Sequence, residues 1–271
     1  MNIKRIVSGL ILFPIAAAIL IFGNQYVVDV AVAIIAVMSI HEFYKAFRTG
    51  KKANPVSWVG YVAAAMISLI HVLPDGWILK TIGLLLPISL CILFLYVIIK
   101  NLKINIIDIA VTFFGIFYIV IFLMYITIIH ENLLHGKILI WFLFLTAWGT
   151  DIFAYVFGKS IGKHHFTEIS PNKTIEGCIG GTLGAVIITL IYNVICQFVF
   201  HVEFNYGYVI LITIVLSILS QIGDLAASSI KRYTGIKDFS NLIPGHGGML
   251  DRIDSVVFTA PFAYFLFMLL L

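Results

Sequence analysis

The sequence contains nine apolar stretches in succession, and each is long enough to cross a lipid bilayer as a helix. About 20 apolar residues in a helix span the roughly 30 Å hydrocarbon layer. Within that layer only helices and closed barrels satisfy every backbone polar group, and the strict alternation of a barrel strand is absent from the sequence. The stretches are Ile6–Phe22, Tyr26–Phe47, Val56–Leu73, Ile78–Ile99, Ile106–His130, Ile138–Gly158, Ile175–Phe200, Tyr208–Ile230 and Asp254–Leu271.

The composition excludes a water-soluble globule. Hydrophobic residues make up 61% of the 271 residues and charged residues only 11%, against about 45–50% and about 25% in soluble domains. Too few polar groups remain to cover a surface in water unless lipid covers most of it. We therefore predict an all-α fold, a polytopic integral membrane helical bundle of about nine transmembrane helices.

The positions of the basic residues predict how the chain is oriented. If the N-terminus is cytoplasmic, all 17 Lys and Arg residues except Lys80 and Lys137 lie on the cytoplasmic side, as the positive-inside rule requires. This asymmetry also accounts for the net charge of +4, so no nucleic-acid partner is expected. The first stretch lacks a small-residue cleavage pattern at its end, and we interpret it as a retained helix.

Two cytoplasmic loops are longer and more polar than the others. They run from Gly158 to Thr174 and from Lys231 to Arg252. We therefore divide the chain into residues 1–135, transmembrane helices expected to serve as scaffold and to make dimer or lipid contacts, and residues 136–271, a transmembrane catalytic region with the two polar loops.

Carboxylates occur inside apolar stretches, where an ionisable group costs roughly 2.5–3.5 kcal/mol on insertion scales. Asp151 lies one helical turn before Tyr155, and Asp224 lies seven residues before Lys231, so each pair shares a helix face. A functional role and a structural interhelical contact both remain open for these aspartates. Three weaker candidates lie near predicted helix ends, where water is close: Asp29, Glu42 and Asp108.

The second loop combines glycines with charged side chains. Gly245, Gly247 and Gly248 can take positive φ and let backbone N–H groups converge on an anion. Asp251 and Asp254 are close together at the start of the last helix, and carboxylates beside phosphates are typical of Mg²⁺ sites. The basic residues expected to bind phosphate oxygens are Lys231, Arg232, Lys237 and Arg252.

Asp224 and Asp251 flank this loop on consecutive helices, so we expect them to share metal ions. His246 is open to several roles: metal ligand, base, phosphate donor or structural contact, since no second histidine nearby completes a zinc site. A basic connector attracted to anionic lipid headgroups is the alternative interpretation of the loop. It does not explain the aspartates, which would repel the same lipids.

The first loop also has features of an anion site. Ser170 before Pro171 predicts a capped helix start, and a helix N-terminus with Lys173 beside it favours a phosphate or a carboxylate such as Glu176. The run Gly158-Lys159-Ser160 is similar to the end of a P-loop. The upstream glycine and strand of a P-loop are missing, so a nucleoside triphosphatase is excluded.

Both loops resemble the phosphatidate cytidylyltransferases, also called CDP-diacylglycerol synthases. The similarity is carried by Ser228-x-Ile230-Lys231-Arg232, Lys237-Asp238-x-Ser240 and Ile243-Pro244-x-His246-Gly247-Gly248-Met249-x-Asp251-Arg252-Ile253-Asp254, and upstream by Asp151-x-x-Ala154-Tyr155-x-x-Gly158-Lys159 and Ser170-Pro171-Asn172-Lys173-Thr174-Ile175-Glu176-Gly177. Ile175 departs from the family, in which many members have tryptophan. The first five apolar stretches carry little of the resemblance.

The resemblance implies that CTP and phosphatidate react to give CDP-diacylglycerol and pyrophosphate. It implies Mg²⁺ as cofactor and a homodimer. A second cation of undefined identity is left open. From the positions of the basic residues we expect a multi-pass protein of the inner (cytoplasmic) membrane whose active site faces the cytoplasm. The expected catalytic residues are Asp224, Asp251, Lys231, Arg232, Lys237 and Arg252, with Asp224, Asp251 and Asp254 as metal ligands. The expected substrate-binding residues are Asp151, Tyr155, Ser170, Lys173, Thr174, Glu176, Asp238, Ser240, His246, Gly247 and Gly248.

Two other classes of membrane protein are alternatives for this chain. A secondary transporter places ionisable residues along a permeation route, but its usual internal repeat is absent from this sequence and the charges cluster on one side. A CTP-using lipid kinase of the polyprenol type would share the nucleotide site. It would transfer the γ-phosphate to an alcohol and release CDP in place of pyrophosphate.

Overall fold

The computed structural model describes residues 3–73, 77–100, 104–243 and 247–271, with side chains from residue 13 onward except those of residues 79 and 82. The described residues contain helices and two isolated β-bridges but no strand. The helices are α1 (Ile3–Phe22), α2 (Gln25–Thr49), α3 (Ser57–Ala65), α4 (Ile78–Ile99), α5 (Ile106–Gly115), α6 (Phe122–Asn132), α7 (Gly136–Ile161), α8 (Ile175–Val199), α9 (Tyr206–Thr234) and α10 (Leu250–Leu270).

These helices confirm the all-α multi-pass membrane class. Every predicted span contains a helix in the described part of the chain. Six helical segments there are long and apolar enough to cross a membrane, and three shorter apolar helical segments accompany them. Two spans are not uniform α-helix, because a 3₁₀ segment (Met66–Val72) follows α3 and a π-helical segment (Ile116–Ile121) joins α5 to α6.

The chain forms two compact units. The first contains Met1–Thr127 and Lys231–Ile253, and the second contains Ile128–Ile230 and Asp254–Leu271. The polar segment Lys231–Ile253, called the α9–α10 segment below, therefore packs with the N-terminal helices. The other polar loop, called the α7–α8 loop below, covers residues 162–174 and belongs to the second unit.

Tyr44 is the central packing residue of the first unit. Its side chain is fully buried, and its hydroxyl donates a hydrogen bond to the Thr112 carbonyl at 2.8 Å. Gly60 and Gly115 make room for the ring: a Cβ at either position would lie 2.5–2.6 Å from Tyr44 atoms. The close approach of α2, α3 and α5 thus depends on two glycines facing one aromatic ring.

The second unit is held by small residues and hydroxyl groups. A Cβ at Gly184 of α8 would lie 2.1 Å from the Phe153 ring of α7, so the ring packs directly against the α8 backbone. Ser217 of α9 lies 2.8 Å from the Thr150 hydroxyl and 2.9 Å from the Thr182 hydroxyl. Small residues and interhelical hydrogen bonds are the usual means of association between helices in lipid.

Candidate functional site

Asp251 organises the α9–α10 segment. Its side chain is 2% exposed, and Oδ1 accepts a 2.8 Å hydrogen bond from Lys231 Nζ, which makes an ion pair. Oδ2 accepts from the backbone amides of Phe239, at 2.8 Å, and Gly248, at 3.0 Å. One carboxylate therefore ties the end of α9, the middle of the segment and the start of α10 together.

Glu42 of α2 supports the same segment from the N-terminal helices. Oε1 accepts hydrogen bonds from the Ser240 hydroxyl at 2.6 Å and the Met249 amide at 3.0 Å, and Oε2 accepts from the Leu250 amide at 2.9 Å. Glu42 is 3% exposed. The amides at the start of a helix have no partner within the helix, so Glu42 acts as a distant N-terminal cap for α10.

The glycine turn of this segment fits closely around the two carboxylates. Gly247 has φ +86°, which favours glycine, and a Cβ there would lie 3.1 Å from Asp251 Oδ2. A Cβ on Gly248 would lie 2.5 Å from Glu42 Oε2. The positive φ predicted for Gly247 is confirmed, whereas Gly248 is required for close approach. Gly245 and His246 lie outside the described residues.

The remaining charged residues of the segment differ in exposure. Lys231 is mostly buried, with 13% of its side chain exposed, and its ammonium group lies 5.4 Å from the centre of the Phe239 ring. The exposed residues are Arg232, Lys237, Asp238 and Arg252. The segment thus combines the fixed Lys231 with three exposed basic side chains and one exposed carboxylate.

Asp224 pairs with a lysine in the second unit. Lys173 Nζ lies 2.6 Å from Asp224 Oδ2 and 3.4 Å from the Gln221 carbonyl. The two side chains are 18% and 29% exposed, so this ion pair is reached by water more readily than that of Asp251. Lys173 therefore links the α7–α8 loop to α9.

The α7–α8 loop is closed by polar contacts at its end. Thr174 is the N-cap of α8, and its hydroxyl accepts from the Gly177 amide at 3.1 Å. Glu176 lies 2.6 Å from His164 Nδ1 and accepts from the amides of Lys163 and His164. The helix start predicted at Ser170 is wrong: α8 begins at Ile175, because Thr174 supplies the cap, and Ser170 lies in a turn.

Asp151, Tyr155 and Asp254 have different surroundings. Asp151 is exposed and accepts a 3.3 Å hydrogen bond from the Ser255 hydroxyl, while Asp254 is 6% exposed and accepts from the Ser255 amide at 2.8 Å. Tyr155 is 68% exposed, with Lys159 Nζ 5.9 Å from its ring centre. The one-turn spacing of Asp151 and Tyr155 therefore places both on an accessible part of α7.

Asp29, Glu42 and Asp108, which the sequence places near helix ends and water, are buried. Asp29 is 0% exposed and lies 2.9 Å from His71 Nδ1, and Asp108 is 6% exposed. With Glu42, all three are enclosed by protein, so their proximity to helix ends did not place them in water. Glu42 was therefore underestimated from the sequence, although a carboxylate within an apolar stretch was the signal available.

The acidic residues offer the oxygen atoms that Mg²⁺ prefers. Asp224 uses one oxygen for Lys173, and Asp251 accepts three hydrogen bonds of the roughly four that a carboxylate can accept. Each therefore keeps acceptor capacity for a hard cation. No group of three or more His, Cys, Asp or Glu side chains among the described residues is placed to hold a metal by itself. Mg²⁺ needs only one or two carboxylates when substrate phosphates complete its shell.

The fold and these polar segments define a multi-pass helical membrane protein with lysine–aspartate pairs and a glycine turn packed against two buried carboxylates. The sequence profile of the cytidylyltransferase family matches residues 3–270. The chain belongs to the cytidylyltransferase family.

Three similar proteins are named phosphatidate cytidylyltransferase. The one from Bacillus subtilis (strain 168) is 44% identical over 133 residues, 49% of this chain and 48% of the relative. That from Staphylococcus saprophyticus is 39% identical over 173 residues, 63% of each chain, and that from Staphylococcus epidermidis (strain ATCC 35984) is 40% identical over 178 residues, 65% of each chain. The chain spans about half of the first relative and under two thirds of the others.

Proposed function

We propose that this protein transfers the cytidylyl group of CTP to phosphatidate, giving CDP-diacylglycerol and pyrophosphate. The observation that carries the proposal is the match to the cytidylyltransferase family over residues 3–270, which includes both polar segments. The relatives named phosphatidate cytidylyltransferase support the choice of phosphatidate as acceptor.

The reaction joins two polyanions, so charge neutralisation is the main task. An oxygen of the phosphatidate phosphate forms a bond to the α-phosphorus of CTP, and the bond from that phosphorus to the bridging oxygen of pyrophosphate breaks. The attacking oxygen is already anionic, and no general base is needed. Positioning and fixed positive charge therefore provide most of the rate enhancement.

The α9–α10 segment supplies positive charge in our proposal. Lys231 is fixed by its ion pair with Asp251, which limits the reorganisation needed when a phosphate binds. Arg232, Lys237 and Arg252 are exposed and contact phosphate oxygens, and the arginines can do so through two parallel hydrogen bonds. Asp238, Ser240, His246, Gly247 and Gly248 are assigned to shaping the triphosphate pocket.

The α7–α8 loop and α7 contribute further substrate contacts. Lys173 is partly exposed beside Asp224 and is assigned to a substrate phosphate. Thr174 and Glu176 hold the end of the loop through Gly177 and His164, which positions Lys173 and Ser170. Asp151 and Tyr155 are accessible on α7 and are assigned to substrate binding.

We also propose Mg²⁺ as the cofactor, with a second cation of undefined identity. Asp224 and Asp251 are its proposed ligands because each keeps acceptor capacity beside its lysine. Asp254 is a weaker candidate, since it is 6% exposed and already accepts from Ser255. When bound, Mg²⁺ neutralises phosphate oxygens and makes the α-phosphorus more electrophilic.

The proposed setting is the cell membrane, with the polar segments on the cytoplasmic side. CTP is then supplied from the cytoplasm, and phosphatidate enters from the bilayer so that only its headgroup needs a polar pocket. The homodimer remains a prediction, to be tested by the mass of the purified protein in detergent.

The test is an assay of the purified protein with labelled CTP, phosphatidate and Mg²⁺, with each component omitted in turn. We expect CDP-diacylglycerol and pyrophosphate in equal amounts only when all three are present. Release of CDP with a phosphorylated alcohol would instead indicate γ-phosphate transfer. Nucleotide product without phosphatidate, or substrate flux in sealed vesicles without CTP, would contradict the proposal.

A further inference from the structure

A cationic cavity that is widely open at the protein surface lies in the first compact unit, outside the α9–α10 segment. Its volume is about 400 Å³, and it is lined by Arg48, Lys51 and Lys52 from the end of α2 and by residues at the start of α5. Cavities of about 300–1,000 Å³ are typical of small-ligand sites. None of the three cations belongs to the segments assigned to the cytidylyl transfer.

The loop that carries these cations is fixed by the helix α5. Asp108 accepts from the Asn54 amide at 2.6 Å and from the Asn105 amide at 3.2 Å, and the Val56 amide donates to the Thr112 hydroxyl at 2.8 Å. Asp108 lines the cavity, but its carboxylate is already used by these backbone amides. The positive charges are therefore held on an ordered loop, and the carboxylate of the described lining, that of Asp108, is already engaged.

Two of the cations are themselves positioned. Arg48 donates to the Pro55 carbonyl at 3.4 Å and to the Ser57 hydroxyl, and Lys52 Nζ lies 5.0 Å from the centre of the Tyr233 ring. Lys51 adopts φ 53°, a left-handed conformation that is uncommon for lysine. Lys51 directly follows the last turn of α2, where a left-handed residue commonly ends a helix.

The position of the cavity indicates which anion it meets. α2 ends at Thr49 and α5 begins at Ile106, so both lining segments lie where apolar helices leave the hydrocarbon layer. Lipid phosphates occupy that depth. We propose that the cavity of Arg48, Lys51 and Lys52 is a second phosphate-binding site that takes a phosphomonoester dianion.

A phosphomonoester can come from two sources, the headgroup of phosphatidate or free phosphate. The location at the helix ends favours the lipid headgroup. Diffuse attraction of basic residues to any anionic lipid is the competing explanation. It predicts that binding follows the charge of the headgroup and weakens equally when any two exposed lysines are removed.

The experiment is calorimetric titration of the purified full-length protein with short-chain phosphatidate, without CTP. The double variant Lys51→Ala/Lys52→Ala is compared with a matched control, Lys45→Ala/Lys100→Ala, which removes two exposed lysines outside the cavity lining. We expect the Kd of one binding component to rise about 5-fold for each cavity lysine removed, thus about 25-fold in the double variant. The control is expected to retain the wild-type isotherm.

Two further titrations distinguish the source and the specificity. Displacement by inorganic phosphate at equal concentration supports a site for the free anion, and its failure to displace supports the lipid headgroup. Equal binding of phosphatidylglycerol, or an unchanged isotherm in the cavity variant, would overturn the proposal. The single variant Lys51→Ala, expected to weaken binding about 5-fold, keeps the test decisive if the double variant unfolds.

These titrations require no turnover. A protein that binds phosphatidate at the cavity but forms no CDP-diacylglycerol would refute the proposed function and leave this inference standing. A protein that forms CDP-diacylglycerol but binds phosphatidate equally well after loss of both lysines would support the proposed function and refute the second phosphate site.

Discussion

The two polar segments differ in what holds them in place. In the α9–α10 segment, backbone amides converge on the buried carboxylates of Asp251 and Glu42. The α7–α8 loop depends on the Thr174 cap and on the pair between Glu176 and His164, whose side chain is 74% exposed. We therefore expect stability and turnover to be coupled in the first segment and largely separable in the second.

Replacing Asp251 by Asn gives the sharpest test of that coupling. The variant keeps the shape of the side chain but leaves Lys231, 13% exposed, without its countercharge. We expect the free energy of unfolding to fall by about 3–5 kcal/mol, as when a buried ion pair loses one partner. We expect turnover to fall about 100-fold or more. Thermal unfolding in detergent and the CTP assay measure the two effects.

The matched control for stability is Asp238→Asn, an exposed carboxylate in the same segment. Its unfolding free energy should change by about 0.5 kcal/mol or less. Equal stability of the two variants would break the comparison, because it would show that the buried carboxylate does not hold the segment.

Replacing Glu42 by Gln tests whether a residue remote from the segment in sequence supports it. The neutral amide retains one acceptor oxygen, so at least one of the amides of Met249 and Leu250 loses its partner. A buried donor without an acceptor costs about 1–3 kcal/mol. We expect that loss in unfolding free energy and a decrease in turnover of about tenfold.

A positioning role predicts that the decrease in Glu42→Gln resides in kcat more than in the KM for CTP. Glu168→Gln, an exposed carboxylate in the α7–α8 loop, serves as the control and should match the wild type in both measurements. Wild-type turnover in a destabilised Glu42→Gln protein would contradict the positioning role and would show that Glu42 only stabilises the fold.

Replacing Asp224 by Asn should separate stability from turnover in the second unit. Its ion pair with Lys173 is partly exposed, at 29% and 18% of the side chains, and such pairs contribute about 0–1 kcal/mol. We expect a melting temperature close to that of the wild type and a loss of turnover of about 100-fold. Turnover within about threefold of wild type would contradict the assigned role in catalysis.

The succession of helices could be predicted from the sequence, because a bilayer imposes one length and one composition on every span. The stretch Ile78–Ile99 coincides with α4. The breaks within two spans could not be predicted. The 3₁₀ segment Met66–Val72 and the π-helical segment Ile116–Ile121 lie inside apolar stretches, whose composition does not indicate a change of helix type.

For the candidate site, too, the sequence indicates some features and not others. The sequence predicts a phosphate-binding role for the α9–α10 segment, which stays a prediction, whereas the positive φ expected for Gly247 is present in the structure. The contact of Glu42 with Ser240 joins residues 198 positions apart, and no local pattern indicates it. The sequence also did not indicate that the Thr174 hydroxyl caps α8, and the substrate contact expected for Thr174 stays a prediction.

Tyr44 lies two residues after Glu42 on α2, so the fit of its ring against Gly60 and Gly115 also fixes the height at which the Glu42 carboxylate meets α10. A methyl group added at Gly115, deep among apolar side chains, would displace the ring and with it the support of the polar segment. A genetic screen for lost activity would therefore recover substitutions of Gly115 together with substitutions of charged residues. The Gly115 substitutions would do so without altering any side chain assigned to a substrate.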